Sequence, residues 1–139
     1  MADELIICEK PAAAKKVADA LADKTPVKRS VNGVPYYEIT HSGKSIIIGA
    51  AVGHLYGLRG KTKVYGYPEF DVAWAPSHQI SKGSAFTKKY ADVMKSLSKD
   101  AKSFVVATDY DVEGEVIGLN VIRYLCKLDN LLTYHQTYL

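Results

Sequence analysis

Four acidic residues follow a short apolar run near the end of the chain, and this junction restricts the fold more than any other stretch. The run, residues 104–107 (Phe-Val-Val-Ala), is typical of a strand buried on both faces of a parallel sheet. After Gly114 the apolar residues return with helical spacing. The acids therefore lie where a strand gives way to a helix, which is the sheet edge where α/β proteins bind ligands. They are Asp109, Asp111, Glu113 and Glu115.

The spacing of the first two acids suggests a cation. Asp109 and Asp111 are two positions apart, so their side chains share a face while the chain is extended. Carboxylates this close repel each other unless a positive charge lies between them, and Mg²⁺ binds through one or two carboxylates, waters and phosphates. The alternative is a solvated acidic turn that caps the following helix. Spacing alone leaves both interpretations open, and the number of acids favours the metal site.

A second strand–acid–helix junction occurs near the start of the chain. Residues 5–8 (Leu-Ile-Ile-Cys) form another apolar run, followed at once by Glu9, Lys10 and Pro11. Proline suits the first turn of a helix, and the apolar residues of that helix then lie on one face. Two such junctions in one small domain predict that Glu9 and the Asp109 stretch share a crevice. The alternative for Glu9 is a lone charge at a helix start. The apolar face consists of Ala13, Val17, Ala20 and Leu21.

Length and composition limit the class of protein. The 139 residues suit one domain, and 47% hydrophobic with 24% charged residues is ordinary for a soluble globular protein. The net charge of +3 is compatible with a nucleic-acid partner without requiring one. No apolar run approaches the ~20 residues that span a bilayer, and the acidic N-terminus is unlike a signal peptide. We therefore predict a cytoplasmic protein with no membrane partner, whose Cys8 and Cys126 are free buried thiols.

The middle of the chain predicts a β-hairpin and a basic, aromatic excursion. Residues 34–40 and 44–48 flank a glycine-containing turn. Beyond it, basic residues alternate with tyrosines, a mixture that suits single-stranded nucleic acid, although packing of the aromatic rings against the sheet is an equal alternative. Neither Gly-Lys-Ser/Thr triplet completes a P-loop, so ATP binding has no support. The candidate DNA contacts are His54, Arg59 and Lys61, with His54 alternatively a structural histidine.

The end of the chain predicts a buried helix and then an irregular segment. Residues 114–126 are apolar nearly all round, which normally requires cover on several sides. We therefore expect a neighbouring domain or subunit. Residues 128–139 have no clear period. The predicted division is one domain over residues 1–126, with residues 127–139 an irregular tail or the start of a missing domain.

Taken together, the two acidic junctions resemble the TOPRIM domain of type IA DNA topoisomerases, in particular the archaeal topoisomerase I and topoisomerase III branch. The matching motifs are residues 5–11 (Leu-Ile-Ile-Cys-Glu-Lys-Pro) and residues 107–118 (Ala-Thr-Asp-Tyr-Asp-Val-Glu-Gly-Glu-Val-Ile-Gly). Residues 52–55 (Val-Gly-His-Leu) form a third block, and Tyr67-Pro68 with Phe70, Asp71 and Trp74 a fourth. The resemblance implies an α/β, Rossmann-like TOPRIM fold, with a mainly parallel sheet between helices and an added β-hairpin excursion.

The resemblance also implies roles at the matched positions. Asp109, Asp111 and Glu113 match the acidic triad that holds Mg²⁺ in this family. Glu9 matches a glutamate that transfers protons near the metal. Lys10 matches a lysine that steadies the scissile phosphate, although the bacterial branch carries its lysine at the position of Ala13.

One departure from the family decides what the chain can do alone. The family's nucleophilic tyrosine lies far downstream on another domain, and none of the ten tyrosines here has its context. We therefore expect an isomerase fragment that is inactive alone and needs missing C-terminal domains and single-stranded DNA as partners. The rival functions are a stand-alone TOPRIM nuclease or primase-like protein, a non-catalytic Mg²⁺-binding α/β module, and a structural DNA-binding domain.

Overall fold

A six-stranded sheet forms the centre of the protein, and two further strands form a separate antiparallel pair. The computed structural model describes residues 1–61, 68–127 and 134–138, the last of these as main chain only. The strands are β1 (Ala2–Cys8), β2 (Val27–Val31), β3 (Val34–His41), β4 (Lys44–Ala50), β5 (Tyr56–Gly60), β6 (Val72–Pro76), β7 (Ala101–Thr108) and β8 (Tyr134–Tyr138). The helices are α1 (Pro11–Leu21), α2 (Ser77–Ile80), α3 (Thr87–Lys99) and α4 (Val112–Asn120), with a 3-10 turn at Lys82–Ser84 and a π-helical turn at Val121–Leu125.

The topology of the sheet brings the two acidic junctions side by side. The strand order is β2-β3-β4-β1-β7-β8. The four neighbouring strands β4, β1, β7 and β8 run parallel to one another. Cys8 of β1 pairs with Ala50 of β4 and with Ala107 of β7, so three strands end level at the same edge. The predicted α/β, Rossmann-like fold with a mainly parallel sheet between helices is confirmed.

Side chains alternate between the two faces of the sheet, so each face has its own core. On one face Leu5 and Val106 pack with α3, α4 and the π-helical turn. On the other face Ile6, Ile48 and Ala107 pack with α1, which lies over β1, β3 and β4. Helices on both faces are what a parallel sheet requires, because its strands are apolar on both sides.

The predicted β-hairpin joins β3 to β4, and its turn explains the glycine. Ser42 and Gly43 both have positive φ, 50° and 80°, as a tight hairpin turn requires. A second such turn at Asn32 and Gly33, with φ of 52° and 75°, adds β2 to the edge of the sheet. The described residues of the excursion after β4 include β5 and β6, which pair with each other instead of joining the main sheet.

Two segments near the end of the chain differ from expectation. Residues 134–138 form the edge strand β8 beside β7, whereas the sequence predicted an irregular tail or the start of a missing domain over residues 127–139. The edge of a sheet presents unpaired main-chain N–H and C=O groups, which can pair with any extended segment. Residues 134–138 therefore add to the edge of β7 although their side chains show no apolar alternation. The helix predicted over residues 114–126 begins at Val112 and becomes π-helical from Val121. Ile117, Val121 and Ile122 on it are buried within this chain.

The cysteines are free, and burial raises the pKa of each thiol to about 12. No helix in the described part of the chain is long and apolar enough to cross a membrane.

Candidate active site

Glu9 and Asp109, one hundred positions apart in the sequence, are joined through one ammonium group at the carboxyl edge of the sheet. Lys10 Nζ lies 3.2 Å from Glu9 Oε1 and 3.6 Å from Asp109 Oδ2. The pairing of β1 with β7 produces this convergence, because each acid follows the end of its strand. The structure therefore brings together three of the predicted site residues.

The three side chains differ in their exposure to solvent. The Glu9 side chain is only 15% exposed, whereas Lys10 and Asp109 are 64% and 60% exposed. The hydrogen bond to Glu9 raises the pKa of Lys10, and the charges of Glu9 and Asp109 add to the effect. Because Lys10 is exposed, solvent screens these interactions. The arrangement is a nearly buried carboxylate with an accessible cation above it.

Asp111 serves as the N-cap of α4. Its Oδ1 accepts a hydrogen bond of 2.7 Å from the main-chain N–H of Gly114, and its own N–H donates to the carbonyl of Asp109 at 2.9 Å. The sequence offered a helix cap as the alternative to a metal site in this acidic turn. Asp111 does cap the helix. Glu113, in the first turn of α4, is exposed.

Gly114 and Thr108 stabilise the turn between β7 and α4. The sequence alone assigned no role to either residue. Thr108 is 1% exposed, and its hydroxyl donates to the carbonyl of Gly114 at 2.9 Å. A Cβ at Gly114 would overlap the carbonyl oxygen of Asp109. In the sequence, the only sign of this close approach is that a glycine, Gly114, stands between Glu113 and Glu115 in the first turn of the helix.

A strained loop after β4 holds the main chain of Glu9. Ala51 donates its N–H to the carbonyl of Cys8 at 2.8 Å, and Gly53 donates to the carbonyl of Glu9 at 3.2 Å. Val52 between them has φ of 58°, a left-handed conformation that is unusual for a β-branched residue. This loop includes the first residues of the Val-Gly-His-Leu block. Its two hydrogen bonds hold the main chain at the end of β1.

The candidate DNA contacts are spread over the chain from the loop after β4 to the residue after β5, and His54 directly follows Gly53, which holds the Glu9 carbonyl. His54 is exposed, and its carbonyl accepts a hydrogen bond of 2.7 Å from the Ser77 hydroxyl. Arg59 is exposed on β5, and Lys61 Nζ pairs with Asp71 Oδ1 at 2.8 Å. The β5–β6 pair is separate from the central sheet that carries Glu9 and Asp109. Residues 62–67, with Lys63, Tyr65 and Tyr67, lie outside the described residues.

The donor set at the sheet edge fits a hard cation only in part. Among residues 1–61 and 68–127, no three His, Cys, Asp or Glu side chains group closely enough to hold a metal ion. Glu9 and Asp109, however, share the Lys10 ammonium, so a positive charge already occupies the place between two carboxylates. Two carboxylates completed by waters and phosphate are sufficient for Mg²⁺. The Glu9–Asp109 pair therefore provides carboxylate oxygens of the kind that the ion implied by the resemblance prefers, without a third carboxylate grouped with them among the described residues.

A comparison with known families decides the classification. The Toprim domain family matches residues 4–138, nearly the whole chain. The chain belongs to the Toprim family. The match extends through β8, so this edge strand is part of the Toprim domain.

Curated relatives of this Toprim domain are much longer proteins. DNA topoisomerase 1 of Pyrococcus horikoshii is 49% identical over 125 residues, which are 90% of this chain and 18% of the relative. DNA topoisomerase 1 of Methanocaldococcus jannaschii is 50% identical over 124 residues, 88% of this chain and 16% of the relative. Reverse gyrase 1 of Aquifex aeolicus is 24% identical over 114 residues, 82% of this chain and 10% of the relative. The chain thus spans less than a fifth of the length of each.

Proposed function

We propose that this Toprim domain supplies the acid–base and Mg²⁺ chemistry of a type IA DNA topoisomerase, an isomerase that cuts, passes and rejoins single-stranded DNA. The observation that carries the proposal is the shared contact of Lys10 with Glu9 and Asp109. It joins an acid–base group, a cation and a second carboxylate at one sheet edge. The identity of about half to DNA topoisomerase 1 of two archaea supports the same assignment.

Glu9 is the proposed proton-transfer group. Its side chain is mostly buried, and the Gly53 N–H fixes its main chain. A carboxylate held in this way returns to the same position in each cycle, as general acid–base catalysis requires. In the reaction it gives a proton to the 3′ oxygen as the P–O3′ bond breaks during cleavage, which produces a 3′ hydroxyl, and it takes a proton from that hydroxyl during rejoining.

Lys10 is the proposed phosphate ligand. Its ammonium is exposed beside Glu9, so a scissile phosphate at the sheet edge would meet a positive charge. Such a charge offsets the negative charge that builds on the phosphate in the transition state. The same ammonium limits repulsion between the two carboxylates when no other cation is present.

Asp109, Asp111 and Glu113 are the proposed Mg²⁺ ligands, and Glu9 lies near the first of them across the Lys10 ammonium. When bound, the ion orients DNA phosphates and stabilises their charge. Asp109 is exposed next to Lys10, and Asp111 uses one oxygen for the helix cap, which leaves the other available.

The partners belong to the proposal as well. Single-stranded DNA is the proposed substrate, with His54, Arg59 and Lys61 as proposed contacts. Lys61 would have to exchange its ion pair with Asp71 for a phosphate. The nucleophilic tyrosine is proposed to reside in other domains of the parent protein, in keeping with the length of the relatives.

A domain exchange tests the proposal. The Toprim region of the Pyrococcus horikoshii relative is replaced by this chain, and relaxation of negatively supercoiled DNA is measured with Mg²⁺ and with EDTA. We expect Mg²⁺-dependent relaxation in the chimera and none after Glu9→Gln. A folded chimera without activity would contradict the proposal.

The isolated chain provides the complementary test. It should not nick or relax DNA, because it lacks the proposed nucleophile. Mg²⁺-dependent nicking by the isolated chain that disappears after Glu9→Gln would instead favour the stand-alone nuclease.

A further inference from the structure

We propose that the open groove beside α1 is the docking site of one amphipathic helix, contributed by the part of the parent protein that comes after β8. The groove has a volume of about 540 Å³ and lies on the sheet face that carries α1. The inference goes beyond the proposed activity, because the groove contains none of the residues assigned to DNA or Mg²⁺, and it rests on the proposed function only in taking the chain to be part of a longer protein.

The floor of the groove is the apolar surface of three strands. Ile6 of β1, Ile46 of β4 and Val105 with Ala107 of β7 line it. Ionisable residues in the lining are Glu4, Lys16 and His41, and His41 Nδ1 already shares a 2.7 Å hydrogen bond with the carbonyl of Leu21. A surface with so few polar groups suits an apolar helix face better than a polar small molecule, which needs several convergent donors and acceptors.

The wall of the groove is the apolar stripe of α1. Ala13, Val17, Ala20 and Leu21 all line it, and these four residues form the helix face predicted from the sequence. Only Val17 among them is buried, whereas Ala20 is exposed. Part of the apolar face of α1 is therefore not covered by the sheet. An apolar helix face that remains uncovered indicates that a second element packs beside this helix.

The arrangement of helices shows which part of the sheet lacks cover. α1 lies over β1, β3 and β4, and α4 packs on β7 from the opposite face. The β7 side of the α1 face therefore has no helix among the described residues. Strands in parallel sheets are normally covered on both faces, because both faces are apolar.

The position of β8 indicates where the covering helix comes from. Tyr138 at the end of β8 pairs with Thr108 at the carboxyl edge of β7, so a chain that continues there starts at this edge, and one turn would lead it along the α1 face. The relatives are at least five times as long as the matched region. β7 spans roughly 26 Å at 3.3 Å per residue, which a helix of about 18 residues covers.

Crossover handedness constrains the path of the chain after this helix. α4 connects β7 to β8 on the face opposite α1. A right-handed crossover to a strand beyond β8 would use that same face. A helix in the groove therefore ends the sheet, and the chain after it leaves for another domain.

Cysteine accessibility tests the docking directly. This chain is compared with a fusion in which residue 138 is joined to roughly forty residues from the corresponding position of the Pyrococcus horikoshii relative, enough for the helix and its connection. Ala20→Cys lies in the groove, and Ala12→Cys is an exposed control on the same helix. We expect the fusion to slow maleimide labelling of Ala20→Cys roughly tenfold or more and to leave Ala12→Cys unchanged.

A second pair of variants checks the energetic consequence. The fusion should have a higher Tm than the isolated chain, Ala20→Arg should remove that gain, and Ala12→Arg should retain it. Equal labelling of Ala20→Cys with and without the added segment would overturn the proposal. So would protection in the isolated chain that appears only on dimerisation, since a second copy would then be the occupant.

Discussion

Gly114 lies against the main chain of Asp109, with no room for a side chain between them. A Cβ at Gly114 would overlap the Asp109 carbonyl oxygen and stand 3.1 Å from its carbon. The same carbonyl accepts the N–H of Asp111. The turn that presents the first acid therefore depends on the absence of a side chain five positions later.

Gly114→Ala should lower the free energy of unfolding by about 1–3 kcal/mol, the usual cost of overpacking. It should also weaken Mg²⁺ binding, because the Asp109 carbonyl must move. Urea unfolding and the Mg²⁺-dependent rise in Tm measure the two effects. Gly83→Ala is the control, since its Cβ would meet only Ser81 Oγ at an ordinary 3.6 Å. Equal effects of the two substitutions would contradict the role of Gly114.

Substitutions at Asp111 should separate helix capping from metal binding. Asparagine caps a helix about as well as aspartate, whereas alanine costs about 1 kcal/mol. Asp111→Asn should therefore keep the stability of the apoprotein and lose most of the Mg²⁺-dependent stabilisation. Asp111→Ala should lose both. If Asp111→Asn binds Mg²⁺ as the parent chain does, Asp111 is a cap only.

Removal of the Lys10 ammonium should strengthen Mg²⁺ binding by the isolated chain. The Lys10 ammonium already contacts Asp109, which is a proposed Mg²⁺ ligand, so the two cations would compete for this carboxylate. Lys10→Gln should lower the Kd for Mg²⁺, measured by calorimetry, and abolish relaxation in the chimera. Lys15→Gln is the control, because Lys15 pairs with Asp19 elsewhere on α1. A Kd for Lys10→Gln equal to that of the parent would exclude the competition.

Alanine at Gly53 should affect both stability and the site. Gly53 has φ of 73° and no atom near its Cβ position, so the penalty of Gly53→Ala is purely that of the backbone, about 1–2 kcal/mol. Gly43 has φ of 80° and equally open space in a distant hairpin turn. Both variants should lose similar stability in urea unfolding. Only Gly53→Ala should weaken Mg²⁺ binding, because its N–H holds the Glu9 carbonyl.

Asp3 should make part of the stability depend on pH. The hydrogen bond from Lys102 lowers the pKa of Asp3, followed by the bond from the Ser45 N–H. A lowered folded-state pKa means that this stabilisation is present above the unfolded pKa of about 3.9 and is lost as pH falls through the folded value. Asp3→Asn should therefore have a lower Tm than the parent chain at pH 7 and the same Tm in strong acid.

Asp92→Asn, at an exposed position of α3, is the control for Asp3 and should match the parent at both pH values. A difference between Asp3→Asn and the parent that persists in strong acid would contradict the assigned ion pair.

Several elements were predictable from local pattern. The apolar runs before Glu9 and Asp109 predicted β1 and β7, and the glycine-containing turn predicted the β3–β4 hairpin. These three predictions agree with the structure because strand burial and turn geometry depend on residues only a few positions apart. The cap at Asp111 was anticipated as an alternative for the same reason.

Other features depended on partners distant in the sequence. β8 has no apolar alternation, and its place results from main-chain pairing with β7. The positive φ of Val52 results from the need of its loop to reach the carbonyls of Cys8 and Glu9. Neither hydrogen bonds to a distant main chain nor loop strain leaves a periodic signal in a single sequence.

The order of residues was enough to establish that two carboxylates end apolar strands and begin helices, because strand and helix periods are local properties of the chain. Three-dimensional packing was needed to establish that β1 and β7 are neighbours, that Lys10 joins Glu9 to Asp109, and that one face of β7 lacks a helix among the described residues. Strand order is set by the packing of whole apolar faces. That packing acts between residues one hundred positions apart, so no short stretch of the chain records it.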